Sequence, residues 1–316
     1  MPDSTTRRTA LAALLAAAAA PLAGCGGGED RSPGRPSAPG TPTRPSAAGT
    51  PTTSVPVGEF RALEREFDAR LGVFAVDTAD GRELAYRADE RFAYCSTCKA
   101  FLAAAVLDKR GLDGIDSEVT VRASDVEGWS PVTEKERGAQ MTLRALCDAA
   151  VRYSDNGAAN ALFRELGGPR GLQSALRAIG DDTTRCDRYE VELSQALPGD
   201  ERDTSTPRAM ARSLREFTLG DVLNADERGA LTDWLVRNTT GDKLIRAGAP
   251  KGWRIGDKTG NGSYGTRNDI ALAWPPQGGK PVVLAVMSRR PGRDADAAHD
   301  DALIARAAAA VFGALG

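Results

Sequence analysis

Histidine is nearly absent: the 316-residue chain contains one, His299. A serine–histidine–carboxylate triad therefore has almost nothing to be built from, since His299 falls in a charged segment expected to be an exposed part of the closing helix. Cysteine is sparse as well. Outside the N-terminal region there are four, Cys95, Cys98, Cys147 and Cys186, and one CxxC with neither a second pair nor histidines is a poor metal set. Because Cys95 and Cys98 do not follow the strand of a recognisable βαβ unit, a redox reading is weak too, and the four read as small buried hydrophobes. A disulfide stays open, since sequence does not supply its geometry. Excess charge of either sign is also missing. With 41 basic and 43 acidic residues, net −2, the chain carries no electrostatic footprint for nucleic acid. No apolar run spans a bilayer comfortably, and no repeat recurs at a solenoid period.

What is present divides the chain. Residues 1–25 hold paired Arg7 and Arg8, an apolar run from Ala10 to Leu22, and the small-residue end Leu22-Ala23-Gly24-Cys25, which together make a signal peptide. The arginine pair resembles a twin-arginine signal, or serves as the basic region of an ordinary one. Leu-Ala-Gly-Cys resembles a bacterial lipobox, which implies that Cys25 is lipidated. The expected location is outside the cytoplasm, anchored to the cell membrane through that lipid or released from it. Residues 26–57 turn to Gly, Pro, Ser and Thr. Such a segment buries too little apolar surface to offset its ordering entropy, and reads as a disordered tether stiffened by proline.

Residues 58–316 form the globular part. Phe60, Leu63, Phe67 and Leu71 recur at helical spacing, which predicts a helix over 58–70. The stretch LGVFAVDTADGRELAYRADE then predicts a hairpin turning at Ala79-Asp80-Gly81. From Ser96 to about Arg237 the pattern is helical and alanine-rich; beyond it strands return as WRIGDKTG, TRNDIALAWPP and PVVLAVMSRR, before a closing helix over 294–316. Strands at both ends with helices between imply an α/β part built from both chain ends (58–86 and 237–316) and an inserted all-helical part (87–236). The cleft between two such parts is a favoured place for a small-molecule site.

Four motifs fall on that seam. In CSTCK, Ser96 opens a helix that runs through strong helix formers to a cationic turn and Gly111, so Lys99 lies three residues on along the same face. The helix N-terminus favours developing negative charge there. Ser at a helix start is usually only a cap, and a lone S-x-x-K decides little. Ser154-Asp155-Asn156 sits between two predicted helices, where it too is open to a capping role. Lys258-Thr259-Gly260 ends a predicted strand. Between them, the polar stretch from Arg188 to Asp203 reads as a compact surface loop with a buried carboxylate, Glu190.

S-x-x-K, S-D-N and K-T-G in this order place the chain with class A β-lactamases and penicillin-binding proteins. Over roughly residues 58–316 it resembles a class A serine β-lactamase, matching also at WSPVTEK, at the segment around Glu190, and at PGDERDTSTP, RNTTGD and GDKTG. The resemblance implies the antiparallel-sheet fold of that family and hydrolysis of penicillins or cephalosporins, and so resistance to them. It implies no cofactor or metal, and a monomer whose partner is the β-lactam itself. Ser96 would be the nucleophile, with Lys99 accepting its proton or lowering its pKa and Glu190 activating water; which of the two is the acylation base is left open. Ser154, held by Lys258, would pass a proton to the leaving nitrogen. The resemblance further implies oxyanion donors at Ser96 N and at Asn261 N beside Gly260, an amide contact from Asn156, a carboxylate site at Thr259 and Arg267, and an aromatic wall at Trp129. Asn160, Arg188, Asp203 and Ser194 would give structural support, Arg188 and Asp203 by clamping the base of the loop.

Departures from the pattern bear on turnover. Ser194 stands where asparagine is frequent, so a shorter hydroxyl must help Glu190 hold the hydrolytic water. Val191 stands where proline often follows the glutamate, at a peptide that is commonly cis. Cys95 occupies the place of a disulfide cysteine in the family's carbapenemases, but Gly262 occupies its partner's. Two rivals remain: a D-alanyl-D-alanine peptidase, in which lack of a water-activating carboxylate lets the acyl-enzyme persist, and a noncatalytic penicillin sensor.

Overall fold

The computed structural model describes residues 55–315; Cys25, the N-terminal apolar run and most of the Pro/Gly-rich segment lie outside them. Helix α1 (Val57–Glu66) buries Phe60 and Leu63. It stops short of the predicted 58–70 because Asp68 turns into the left-handed region at φ 41 and Arg70 already begins β1 (Arg70–Asp77). Strand β2 (Glu83–Tyr86) returns antiparallel across the predicted turn, where Gly81 supplies φ 80. Then β3 (Phe92–Ala93) leads through a 3-10 turn, Cys95–Thr97, into α2 (Cys98–Gly114), whose helical backbone breaks at Gly111. The small ladder of β4 (Glu118–Thr120) and β5 (Gln140–Thr142) precedes α3 (Leu143–Arg152), α4 (Asn156–Leu166) and α5 (Pro169–Ala178). Strand β6 (Thr204–Ser205) pairs with β3, and α6 (Pro207–Leu219), α7 (Ala225–Val236) and α8 (Ile245–Gly248) follow. The chain ends with β7 (Arg254–Gly262), β8 (Thr266–Trp274), β9 (Val282–Arg289) and α9 (Asp301–Leu315).

Polar side chains set several helix starts. Thr142, Asp155 and Thr206 each accept a hydrogen bond from the backbone N–H three residues on, and Asn224 with Glu227 forms a capping box. The predicted closing helix begins only at Asp301, so His299 is exposed as expected but lies ahead of the helix in a non-helical stretch.

The large sheet is antiparallel throughout, in the order β2-β1-β9-β8-β7, so the N-terminal pair joins the C-terminal three where β1 meets β9. Alternation along each strand sorts its side chains onto two cores. Val73, Ala75, Leu284 and Val286 pack against α1 and α9, while Phe74, Val76, Ala285 and Met287 join the helical part. Helix α2 is the axis of that part, with every residue from Cys98 to Leu107 buried. Its first turn meets edge strand β7 at Gly260, where a Cβ would lie 2.7 Å from the Tyr94 carbonyl oxygen. Only glycine lets that strand come so close to the turn carrying Ser96.

Candidate active site

The side chains of Ser96, Lys99 and Glu190 converge where α2, the 188–203 loop and α4 meet. Lys99 is fully buried, an unusual place for an ammonium, and oxygen surrounds it. Its Nζ donates to Ser96 Oγ at 2.9 Å, the Ser154 carbonyl at 2.8 Å and Asn156 Oδ1 at 2.6 Å, and lies 2.9 Å from Glu190 Oε1. Ser96 Oγ in turn donates to Glu190 Oε1 at 3.1 Å. Nucleophile, cation and carboxylate thus form a closed triangle.

Glu190 is 2 % exposed and is placed by its backbone. Asn160 Oδ1 accepts from Glu190 N at 2.9 Å, and Asn160 Nδ2 donates to the Glu190 carbonyl at 2.9 Å. The Glu190–Val191 peptide is cis. Ser194, one helical turn on, donates to Glu190 Oε2 at 3.2 Å, on the oxygen that Ser96 does not use. The base of the loop closes on Asp203, which is fully buried and accepts from Asp187 N, Arg188 N and Tyr94 Oη as well as pairing with the Arg188 guanidinium.

Opposite Ser96, Ser154 sits at φ 56, just before Asp155, and it is Asp155 that caps α4. The Asp155 carboxylate also accepts from Val132 N, Thr133 N and Thr133 Oγ1. This brace fixes the segment and leaves the Ser154 hydroxyl to accept from Lys258 Nζ at 3.1 Å. Burial, and then the positive charge of Lys99, bring the Lys258 ammonium down to about 7, against the opposing pull of Asp257 and Asp269.

These groups open onto one cleft of about 290 Å³, lined by Ser96, Trp129, Ser154, Asn156, Glu190, Val191, Ser194, Thr240, Thr259, Asn261 and Arg267. Trp129 is 66 % exposed at its mouth, tethered by Nε1 to the Tyr153 carbonyl at 2.9 Å, and is not a core aromatic. Gly260 stands behind this lining, in contact with the Tyr94 carbonyl. Arg267 reaches the cleft with its Nε engaged by Asp301 Oδ1 at 2.7 Å, a partner the sequence did not announce; its Nη groups have no protein partner among the described residues. Sequence reasoning also missed Thr240, which lies within the RNTTGD segment, and Asn268, whose Nδ2 holds the Ala93 carbonyl at 2.8 Å and so steadies the approach to Ser96.

The four cysteines among the described residues are buried and free. Burial pushes every one of their thiols up, Cys186 to about 12, so none is poised as a thiolate. Cys95 touches the space a side chain at Gly262 would need, 2.6 Å from its Sγ, and no bridge forms there.

Comparison with known proteins gives a consistent result. A family model described as "Beta-lactamase enzyme family" matches residues 57–315. A β-lactamase of Amycolatopsis lactamdurans is 54% identical over 258 residues, 82% of this chain and 84% of that one. A β-lactamase of Bacillus amyloliquefaciens is 51% identical over 250 residues, 79% of this chain and 81% of its own. Among solved structures, a class A β-lactamase from Clostridium kluyveri DSM 555 superposes with a TM-score of 0.79 at 45% identity, covering 82% of this chain and 98% of that one. A halotolerant bacterial β-lactamase gives 0.78 at 50% identity, covering 81% and 97%.

Proposed function

Since the chain belongs to the β-lactamase enzyme family, as a class A enzyme that hydrolyses β-lactams, we propose that Ser96 carries the acyl group and that Glu190 and Lys99 manage its protons. The observation that carries this is the triangle itself. Lys99 Nζ lies 2.9 Å from both Ser96 Oγ and Glu190 Oε1, and Ser96 Oγ lies 3.1 Å from the same carboxylate oxygen.

Four oxygen atoms surround Lys99 Nζ. That environment suits a donor, so Ser96 hands its proton to Glu190 rather than to the lysine. Ser96 Oγ then bonds to the lactam carbonyl carbon, and the negative oxygen is met by backbone N–H groups of Ser96 and Asn261, each worth about 3 to 4 kcal/mol in such sites. As the C–N bond breaks, Ser154 gives its proton to the nitrogen and is resupplied by Lys258, 3.1 Å away. The proton that Glu190 took from Ser96 replaces the one Lys258 gave up, so for deacylation Glu190, steadied by Ser194, is a carboxylate again. It takes a proton from water as that water attacks the ester and passes it to Ser96, which leaves as the alcohol while the β-lactam is released ring-opened. Asn156 reaches for the side-chain amide of the substrate, Trp129 closes the mouth, and Thr259 with the Nη groups of Arg267 receives its carboxylate.

Mass spectrometry after brief exposure to benzylpenicillin tests these roles. Wild type returns to its free mass, whereas Glu190→Ala accumulates a penicilloyl adduct on Ser96. A persistent adduct on the wild type would restore the peptidase or sensor reading instead.

The N-terminal motif supports export and lipidation at Cys25, with the Pro/Gly-rich segment as spacer. Fatty-acid labelling of cells is expected to mark the wild type and not Cys25→Ser, whose activity would move to the medium. The family resemblance supports a monomer; a dimeric mass in light scattering would contradict it.

A further inference from the structure

We propose that Thr240 determines how strongly the cleft holds a substrate carboxylate, by fixing which way the Thr259 hydroxyl points. One buried chain of hydrogen bonds fixes where each proton lies. Arg246 Nε donates to Asp257 Oδ1 at 2.5 Å, and Asn238 Nδ2 donates to Asp257 Oδ2 at 2.6 Å. The Asn238 amide cannot be turned round, because its Oδ1 accepts the backbone N–H of Thr240 at 3.1 Å, and a backbone N–H only donates. The segment is pressed onto Asp257 at Gly241, where a Cβ would lie 2.0 Å from Asp257 Oδ2.

Thr240 Oγ1 lies 2.9 Å from Asn238 Oδ1 and 2.6 Å from Thr259 Oγ1. An amide oxygen carries no proton, so the single hydroxyl proton of Thr240 is spent on Asn238. The short Thr240–Thr259 contact must therefore use the proton of Thr259. With its proton turned toward Thr240, Thr259 presents only lone pairs to the cleft, and lone pairs repel an anion. A carboxylate is gripped by Thr259 only when that proton swings across, which breaks the 2.6 Å bond and leaves a Thr240 lone pair unsatisfied. Thr240 lines the cleft but acts through Thr259: it is a positioning residue that weakens the carboxylate end.

The inference rests on the reading that Thr259 and Arg267 receive the carboxylate. Steady-state kinetics with benzylpenicillin and its methyl ester separate the two. In Thr240→Val the isosteric side chain accepts no proton, so Thr259 donates to the ligand. KM for the acid falls roughly three- to tenfold, as expected for one hydrogen bond gained. Meanwhile kcat stays as it was, the ester is unaffected, and Thr240→Ser behaves as wild type. Thermal melting checks that the valine variant folds, and Thr240→Ala makes the same release should it not. An unchanged or raised KM for the acid, or an equal shift for the ester, overturns the inference. The underlying reading fails differently, through a wild type that prefers the acid no more than the ester.

Discussion

Two lysines three motifs apart sit in the same buried cleft wall with opposite employment. Lys99 is wrapped by acceptors, while Lys258 is held by Ser154 and its own neighbour's carbonyl and is brought to about 7 by burial and by the charge of Lys99. Below 7 Lys258 is a cation beside Ser154 and Thr259, the latter proposed to receive the substrate carboxylate; above 7 the free enzyme loses that charge. The plot of kcat/KM against pH for a carboxylate-bearing β-lactam should fall as pH rises through about 7, and fall less for the corresponding ester, since kcat/KM reports groups of the free enzyme. A rise across that range would contradict the assignment. At Ser194 the hydroxyl reaches Glu190 Oε2 at 3.2 Å with one donor only. Ser194→Asn adds a longer reach and a second donor, and single-turnover measurements are expected to show severalfold faster deacylation with acylation unchanged. Residue identity made both sites legible: the spacing of Ser96 and Lys99 and the order of the three motifs were readable from the chain. What it could not show was Asp301 on the Nε of Arg267, 34 positions along, because no local pattern marks a pairing between a strand and a distant helix start.

Among the elements, the 188–203 loop bears the carboxylate but contributes little packing of its own; Leu193 is its buried apolar residue between Glu190 and Asp203. Its order comes from polar groups gathered on Asp203 and Asn160. Removing the charge from one member of a buried pair leaves the other uncompensated, an effect of about 3 to 5 kcal/mol. Asp203→Asn should therefore lower the urea midpoint by a corresponding margin and slow deacylation more than acylation; unchanged stability would show that the clamp is ornamental. Helix identities were legible because the 3.6 period in α3, α4 and α6 is strong, and β7 to β9 because each is a short run buried nearly end to end. Their ends were less so. The helix predicted over 58–70 overran because Phe67 and Leu71 keep the apolar spacing beyond the point where Asp68 leaves helical geometry. At the other end, the stretch before Asp301 was read into the closing helix, although the Asp294 carboxylate accepts from Asp296 N in a local turn.

For the molecule as a whole, the family match begins at Val57. A chain starting at Val55 is expected to keep the kcat/KM of the full-length protein within about twofold, since surface changes away from a site are near neutral. A large loss would give the preceding segment a role in catalysis. Strand β1 finds its central neighbour in β9, and the Thr78 hydroxyl donates to the Pro281 carbonyl 203 positions away. Loops of that length close late, so during synthesis the first strand waits, unpaired on one side, until β9 has been made. Stalling the ribosome before β9 is complete should leave a chain that proteases cut freely, however well formed its helices.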